Sequence, residues 1–335
     1  MSTVTAQVTS LSWLPSELMH GPMRLPFDVG LTHYDAPPPD LLVDVEALRR
    51  AGRFRFLNNL SIAAEVTAGR IDHVRLLPYS RGMMGRTNVL GGAVRFPAIA
   101  RRDLVTTSIS DDRAVVVVRQ TAGGRAALPA LRRVQGRPRL VSPLVWTTLE
   151  LELHADGTSQ HRVTGASAFP RHWVYDGDGR LVEKVAVADA DSWFHAMSPT
   201  ENPWSGSEHA ALTTEAETEL ERRLSSTVMS GHKQVRQLPA GSTLFRQGDA
   251  GSQVALLLDG VIDVECDGVR VAQIGPGAVI GERALLEGAR SSTVIAHSDI
   301  TVALVDGNAL PRSALEELVE GHRHEDDPPA AEHLT

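Results

Sequence analysis

The chain has 335 residues, a net charge of −8, 42% hydrophobic and 4% aromatic residues, and a single cysteine, Cys266. That length suggests two domains. One cysteine excludes an intramolecular disulfide and a cysteine zinc cluster, and the acidic balance argues against nucleic acid as a partner, because phosphate contacts need clustered Lys and Arg.

A lone cysteine fits a reducing cytoplasm. The segment Met1–Gln7 has no basic stretch followed by an apolar run. The longest strongly apolar run, Ala114–Val118, is too short to span a bilayer. The expectation is a soluble cytoplasmic protein with no membrane partner.

In chain order, residues 1–12 are rich in Ser and Thr and read as disordered. Residues 1–40 form a disordered or extended N-terminal segment ending at the break Ala36-Pro37-Pro38-Pro39-Asp40. The spacing of Leu42, Val45 and Leu48 predicts a short amphipathic helix over Leu41–Ala51. From Ser61 to Ala188 the period is two. Four strand pairs are predicted: Ser61–Thr67 with Ile71–Leu77, Leu104–Ile109 with Ala114–Arg119, Trp146–Leu153 with Thr158–Gly165, and Arg171–Tyr175 with Arg180–Val187. Gly and Asp in the intervening turns accept the positive φ that tight hairpins need. Leu149, Leu151 and Leu153 alternate with Glu150 and Glu152, so one face is buried and one wet. Residues 41–200 are thus expected to be an antiparallel β-rich domain, curled into a barrel or half-barrel, with a short helix near Asp191–Met197.

Residues 201–229 read as linker and helix. The stretch 198–212 is rich in Pro, Ser, Gly and Glu, and Thr214-Glu215-Ala216-Glu217 is a capping box that starts a helix reaching Ser226. The tail, residues 322–335, reads as disordered.

Several clusters in the first 210 residues have a chemical and a plain reading. Asp176-Gly177-Asp178-Gly179 reads as a hairpin turn, because a calcium loop needs Glu at its twelfth position and Val187 stands there. His154, His161 and His172 lack paired metal-ligand spacing and read as surface or core histidines. Phe169–Asp176 reads as a packed sheet end. Tyr79–Arg86 reads as a loop, because no strand-then-helix context supports a phosphate site. The basic stretch Arg132–Arg139 reads as a solvated loop. No metal is implied.

The last domain, residues 230–321, is more specific. Leu238–Gly251 opens a strand and turn, Gln253–Leu258 is an apolar strand, and Ile262, Val264 and Cys266 alternate with polar residues. Asp267-Gly268 is a two-residue hairpin signal, after which Val269, Val271 and Ile274 continue the inward face. Strands are predicted at Thr293–His297 and Ile300–Asp306, with a final helix from about Ala309 to Glu320.

Glycines at 241, 248, 260 and 277, together with Gly281-Glu282-Arg283-Ala284-Leu285-Leu286 and Arg290-Ser291-Ser292-Thr293-Val294, carry a resemblance. The segment resembles the cyclic-nucleotide-binding domain family over roughly 90 residues. The resemblance implies an eight-stranded jelly-roll barrel with flanking helices that takes cyclic AMP or cyclic GMP as a regulatory ligand. It gives Arg290 to the cyclic phosphate and Glu282 to the ribose 2′-hydroxyl, and places Ser291 and Ser292 beside phosphate and base. The physics agrees. A helical turn at Ala284–Leu286 directs N–H groups toward an anion, Arg290 offers a fork-shaped charged donor, Gly281 allows close backbone approach, and Arg283, Ala284 and Leu285 complete the binding set. Three features depart from the commonest family pattern. The stretch from Leu286 to Arg290 is one residue short, Arg283 stands where an apolar residue is usual, and no aromatic or aliphatic cap follows the final helix.

The expected fold is therefore mainly β or α+β, with an N-terminal antiparallel-sheet domain and a C-terminal jelly-roll barrel. The first functional reading is a cyclic-nucleotide sensor whose barrel regulates an N-terminal β-rich output domain, rather than an enzyme. The alternatives are a nucleotide-regulated enzyme with its active site in the N-terminal domain, and a ligand-free barrel used as a scaffold. The partners these readings admit are a cyclic nucleotide, a second copy of the chain or another protein, but not nucleic acid or membrane.

Overall fold

A computed structural model describes residues 1–14, 27, 29, 33–85, 87–89, 94–96, 98–126, 130–134, 137–141, 144–168, 170–185, 202–205, 213–215, 224, 227–229 and 233–325. The chain divides into two units, Met1–Ala216 and Glu217–Thr335. Both are built mostly of antiparallel strands.

The first unit contains β1 (Ser2–Trp13), helix α1 (Val45–Arg50), β2 (Phe56–Thr67), β3 (Arg70–Leu76), β4 (Arg81–Met84), β5 (Thr87–Val89), β6 (Val94–Phe96), β7 (Ile99–Ala100) and β8 (Leu104–Ile109). It continues with β9 (Val115–Arg125), β10 (Ala130–Val134), β11 (Arg137–Val141), β12 (Leu144–His154), β13 (Ser159–Ala166), β14 (Arg171–Tyr175), β15 (Leu181–Val185) and β16 (Thr213–Glu215). One sheet has seven strands in the order β16-β15-β14-β1-β2-β3, with β4 also on β2. A second has five, in the order β13-β12-β9-β7, with β8 also on β9. The two sheets share a core in which Val8, Leu60 and Ile62 of the first meet Val118, Leu149 and Leu151 of the second.

All four predicted hairpins are present. The β2–β3 turn carries Ala68 at φ +53° and Gly69 at φ +74°, the left-handed pair that lets a two-residue turn follow strand twist. Helix α1 begins where Asp44 Oδ1 accepts the Ala47 N–H at 2.8 Å. Its Val45 and Leu48 pack on the cluster of Trp13, Phe54 and Trp173.

Several expectations are corrected. Residues 1–12 are not disordered. Ser2–Trp13 is an interior strand hydrogen-bonded to β2 on one side and β14 on the other. Its Ser and Thr residues hid the alternation, because Thr9, Ser10 and Ser12 are themselves buried. Thr213–Glu215 pairs with β15 as a strand, so the predicted capping box at Thr214 does not open a helix there. Leu224 and residues 227–229 are helical, while 216–223 lie outside the described residues, as does the helix predicted near Asp191–Met197. Arg81–Met84 pairs with β2 rather than forming a loop. Of the basic stretch expected to be a loop, Arg132–Val134 and Arg137–Arg139 lie in the paired strands β10 and β11.

His172 is fully buried, with Nε2 2.8 Å from the Ser167 carbonyl and Nδ1 2.6 Å from Ser12 Oγ. A carbonyl only accepts, so Nε2 carries the proton and Nδ1 accepts from Ser12. Burial pulls the imidazole down to about 4. Asn58 joins the two sheets: its Nδ2 donates to the Thr147 carbonyl at 3.0 Å, and its Oδ1 accepts from Gln120 Nε2 at 2.7 Å. The three histidines considered above do not converge. His154 meets Glu152 at 2.9 Å, His161 lies 4.0 Å from Glu183, and His172 is held as described.

The second unit contains β17 (Gln234–Leu238), β18 (Thr243–Phe245), β19 (Gln253–Asp259), β20 (Ile262–Cys266), β21 (Val269–Ile274), β22 (Val279–Ile280), helix α2 (Arg283–Glu287), β23 (Thr293–Ala296), β24 (Ile300–Asp306) and helix α3 (Arg312–Glu325). Two four-stranded antiparallel sheets form, β17-β24-β19-β22 and β18-β23-β20-β21. Strand β19 is apolar on both faces because both are covered. Ala255 and Leu257 join the inter-sheet core with Ile262 and Val294, while Val254, Leu256 and Leu258 pack with Leu315 and Leu318 of α3. Val269 and Val271, expected inward, are 65% and 54% exposed. They lie on β21, an edge strand paired only with β20 among the described strands. Helix α3 extends through residues 322–325, which were expected to belong to a disordered tail. No proline occurs between Arg312 and Pro328, and the helix continues through Gly321.

Candidate functional site

The sequence cassette folds around one side chain. Gly281, at φ +89°, turns the chain from β22 into α2, and Gly288, at φ +86°, ends that helix in the left-handed conformation. The segment after α2 then docks on the turn that follows β18. Arg290 N–H donates to the Asp249 carbonyl at 2.8 Å, and Gly248 N–H donates to the Arg290 carbonyl at 2.9 Å. This pairing fixes the backbone of Arg290 and sends its side chain inward, leaving the residue 7% exposed.

The guanidinium is held on several sides. Nη1 donates to the Gly281 carbonyl and Nη2 to the Gln253 carbonyl, each at 2.8 Å. Its central carbon stands 3.7 Å from the centre of the Phe245 ring, a cation–π contact. Gly251 and Gly281 flank it so closely that a methyl group on either would overlap guanidinium atoms. Burial draws Arg290 below its ordinary pKa, and the carboxylates of Glu282 and Asp249 oppose that shift. The group remains cationic, since arginine starts far above neutrality.

A cavity of about 620 Å³ opens beside this cation, within the range of small-molecule sites. Phe245, Arg246, Asp249, Gly251, Gln253 and Arg290 are part of its wall.

The sequence-predicted residues separate into groups. Gly281 and the buried Glu282 lie with Arg290. Ala284 is buried in α2. Leu285 packs toward α3, against Gly307 and the cluster of Leu310, Leu315 and Leu318. Arg283, Ser291 and Ser292 are partly exposed, and the Ser291 carbonyl lies 3.8 Å from Cys266 Sγ. Of the eight predicted residues, only Arg290 is part of the cavity wall. Sequence reasoning missed Phe245, Asp249, Gly251 and Gln253. The glycine-rich run Gly248-Asp249-Ala250-Gly251 was the available signal, because small residues permit close approach of another group. Nothing in the sequence marked Phe245 as the ring beneath the arginine.

The comparisons with known proteins fall on this unit. Residues 235–321 match the cyclic nucleotide-binding domain family model. Among solved structures, a cyclic nucleotide-binding domain from Methylobacillus flagellatus is 25% identical, covering 33% of this chain and 70% of that one, with a TM-score of 0.27. The N-terminal domain of a transcriptional regulator from Streptomyces coelicolor is 22% identical, covering 33% and 86%, with a TM-score of 0.25. The catabolite activator protein of Thermus thermophilus is 25% identical, covering 32% of this chain and 56% of that one, with a TM-score of 0.27. The C-terminal third of this chain, residues 235–321, is a cyclic nucleotide-binding domain.

Proposed function

We propose that the chain is a cyclic-nucleotide-responsive regulator in which cyclic AMP or cyclic GMP binds the second unit and alters the output of the first. The observation that carries this reading is the buried, still cationic Arg290 at the wall of the cavity. A guanidinium has five N–H donors in a planar fork, and backbone carbonyls take two of them. A phosphate monoanion is a stronger acceptor than a neutral carbonyl, because ionised hydrogen bonds are roughly twice as strong. Glu282, beside Arg290, accepts the ribose 2′-hydroxyl proton. Gly281 and Ala284 let the sugar-phosphate approach the backbone. Ser291 and Ser292 contact the ligand from the segment after Arg290.

A route from ligand to helix runs through α2. Leu285 belongs to the same short helix as the ligand-facing turn and packs against Gly307 and the α3 cluster. A displacement of α2 on binding therefore repacks α3. Only a ligand with different affinity for the two packings shifts that balance.

A ligand-free barrel serving as a scaffold is the second reading. What favours it is the carbonyl pair and aromatic ring that already satisfy Arg290. Calorimetric titration of the purified protein with cyclic AMP and cyclic GMP, alongside Arg290→Ala, separates the two. Binding of one nucleotide, weakened by about 1.5–3 kcal/mol in the variant, is the expected result for a hydrogen bond to a charged group. No heat from either nucleotide in folded protein overturns the sensor reading and leaves the scaffold.

A further inference from the structure

The wall of the cavity beside Arg290 mixes charges. Among the described residues it contains three arginines, Arg236, Arg246 and Arg290, and two aspartates, Asp249 and Asp306. Carboxylates do not help a site whose task is only to gather phosphate charge, because like charges brought together oppose binding.

The backbone decides where these carboxylates stand. Arg290 N–H donates to the Asp249 carbonyl at 2.8 Å, and Asp249 N–H donates to the Arg246 carbonyl at 3.1 Å. Asp249 is therefore pinned beside the residue that carries the buried cation. Its carboxylate acts on that guanidinium through space, opposing the shift that burial imposes. Asp306 belongs to the same end of the cavity. It is the register partner of Gln253, whose carbonyl holds Nη2 of Arg290. Asp306 Oδ1 accepts from the N–H and Nδ2 of Asn308, both at 3.0 Å, which spreads its charge. Arg236 stands farther off. Its register partner is Val302, about 13 Å along β24 from Asp306 at the usual strand rise.

Phosphate ligands differ in the charge they bring to such a place. A phosphodiester, such as the ring phosphate of a cyclic nucleotide, has one ionisable group and carries one negative charge. A phosphomonoester carries about 1.5 to 2 at neutral pH, because its second proton leaves at about pH 6.

We propose that Asp249 is a specificity-determining residue that selects a singly charged phosphodiester over a doubly charged phosphomonoester at Arg290. The inference rests on the nucleotide-sensor reading above. It makes the site respond to a cyclic nucleotide and reject the linear 5′-monophosphate of the same base. Hydrolysis of the cyclic diester adds water across one P–O bond, frees the 3′-hydroxyl and leaves a monoester with a second acidic proton. Phosphodiester hydrolysis is thus the class of reaction that empties this site, with base and sugar unchanged.

The test is calorimetric titration of the full chain with three ligands, for adenine and for guanine: the 3′,5′-cyclic nucleotide, the linear 5′-monophosphate, and the methyl ester of that monophosphate, which is linear but singly charged. The unaltered chain is expected to bind the cyclic form most tightly and the methyl ester more tightly than the monophosphate. Asp249 is exposed, and Asp249→Asn keeps its size and the carbonyl that fixes Arg290. Each ligand charge meets the Asp249 repulsion once, so this variant is expected to narrow the gap between methyl ester and monophosphate about fivefold, the scale of one unit-charge pair at about 4 Å in water. Asp306→Asn is expected to narrow it less. If no ligand binds the folded chain, the sensor reading and this inference fall together. If the cyclic nucleotide binds but the methyl ester is held no better than the monophosphate, the inference alone is overturned. The same follows if Asp249→Asn changes both linear ligands by one factor, since Asp249 then only braces Arg290.

Discussion

The central carbon of the Arg290 guanidinium stands 3.7 Å from the centre of the Phe245 ring, so the ring and two carbonyls together set where the charge sits. Arg290→Lys keeps a cation but loses the fork and its fit to a phosphate. Its expected effect is a nucleotide affinity about 10- to 150-fold weaker, the range for one charged hydrogen bond, read by calorimetry. Phe245→Leu keeps apolar bulk and removes the cation–π attraction. The expected loss of stability is about 0.5–2 kcal/mol, read by chemical denaturation.

Gly281→Ala is expected to be worse than its size suggests. The added methyl meets both Nη1 of Arg290 and the Phe245 ring, and the backbone at φ +89° strains any side chain. Gly268→Ala provides the control. It also sits at positive φ, +78°, but nothing stands within 4 Å of the added methyl. Both variants are expected to lose some stability, while only the first loses nucleotide binding. Equal affinities in a titration of the two sink this account of Gly281.

His172 makes the first unit acid-sensitive. Its folded pKa, about 4, lies below the ordinary 6.5 because the ring is buried. Above pH 6.5 the ring is neutral in both states and costs nothing. As pH falls from 6.5 toward 4, the unfolded state gains a proton that the folded state refuses, so stability drops by about 1.4 kcal/mol per pH unit. The total is about 3 kcal/mol at the lower end. His172→Gln is expected to flatten that slope in denaturant titrations at pH 4–6.5. An unchanged slope rules out His172 as its source.

Asn58 joins the sheets through both ends of its amide. Asn58→Asp turns a donor into an acceptor that faces the Thr147 carbonyl at 3.0 Å, so it is expected to destabilise more than Asn58→Ala. The alanine variant removes the bonds to Gln120 and Thr147, at a cost of about 1–3 kcal/mol, while Gln120 Nε2 keeps the Asn59 carbonyl at 2.8 Å. Thermal unfolding of both variants checks the order.

The parts of the fold visible in the sequence were those where one physical rule acted alone. Ala68-Gly69 and Asp267-Gly268 announced tight turns, and Leu149, Leu151 and Leu153 announced a half-buried strand, because tertiary context did not override local preference. Strand β1 was hidden because both its faces bury polar residues, Thr9 on one and Ser10 and Ser12 on the other; Thr9 and Ser12 find partners far along the chain, in Asn59 and His172. Val269 and Val271 misled in the opposite sense: alternation gives a strand two faces but does not say that a neighbour covers either. In the cassette, residue types identified Arg290, but its surroundings came from Gln253, Gly251 and Phe245, brought near by non-local packing.

The place of β1 in its sheet has a consequence for biosynthesis. Its neighbour β14 ends at Tyr175, with Trp13 aligned to Arg171 and Thr9 to Tyr175. At typical translation rates of about 5–20 residues per second, the interval between the two strands is on the order of ten seconds. During that time β1 has β2 on one side and nothing on the other. The nascent chain must wait with an unfilled slot in its largest sheet, where a holdase or an unrelated strand can compete for the place before β14 leaves the ribosome.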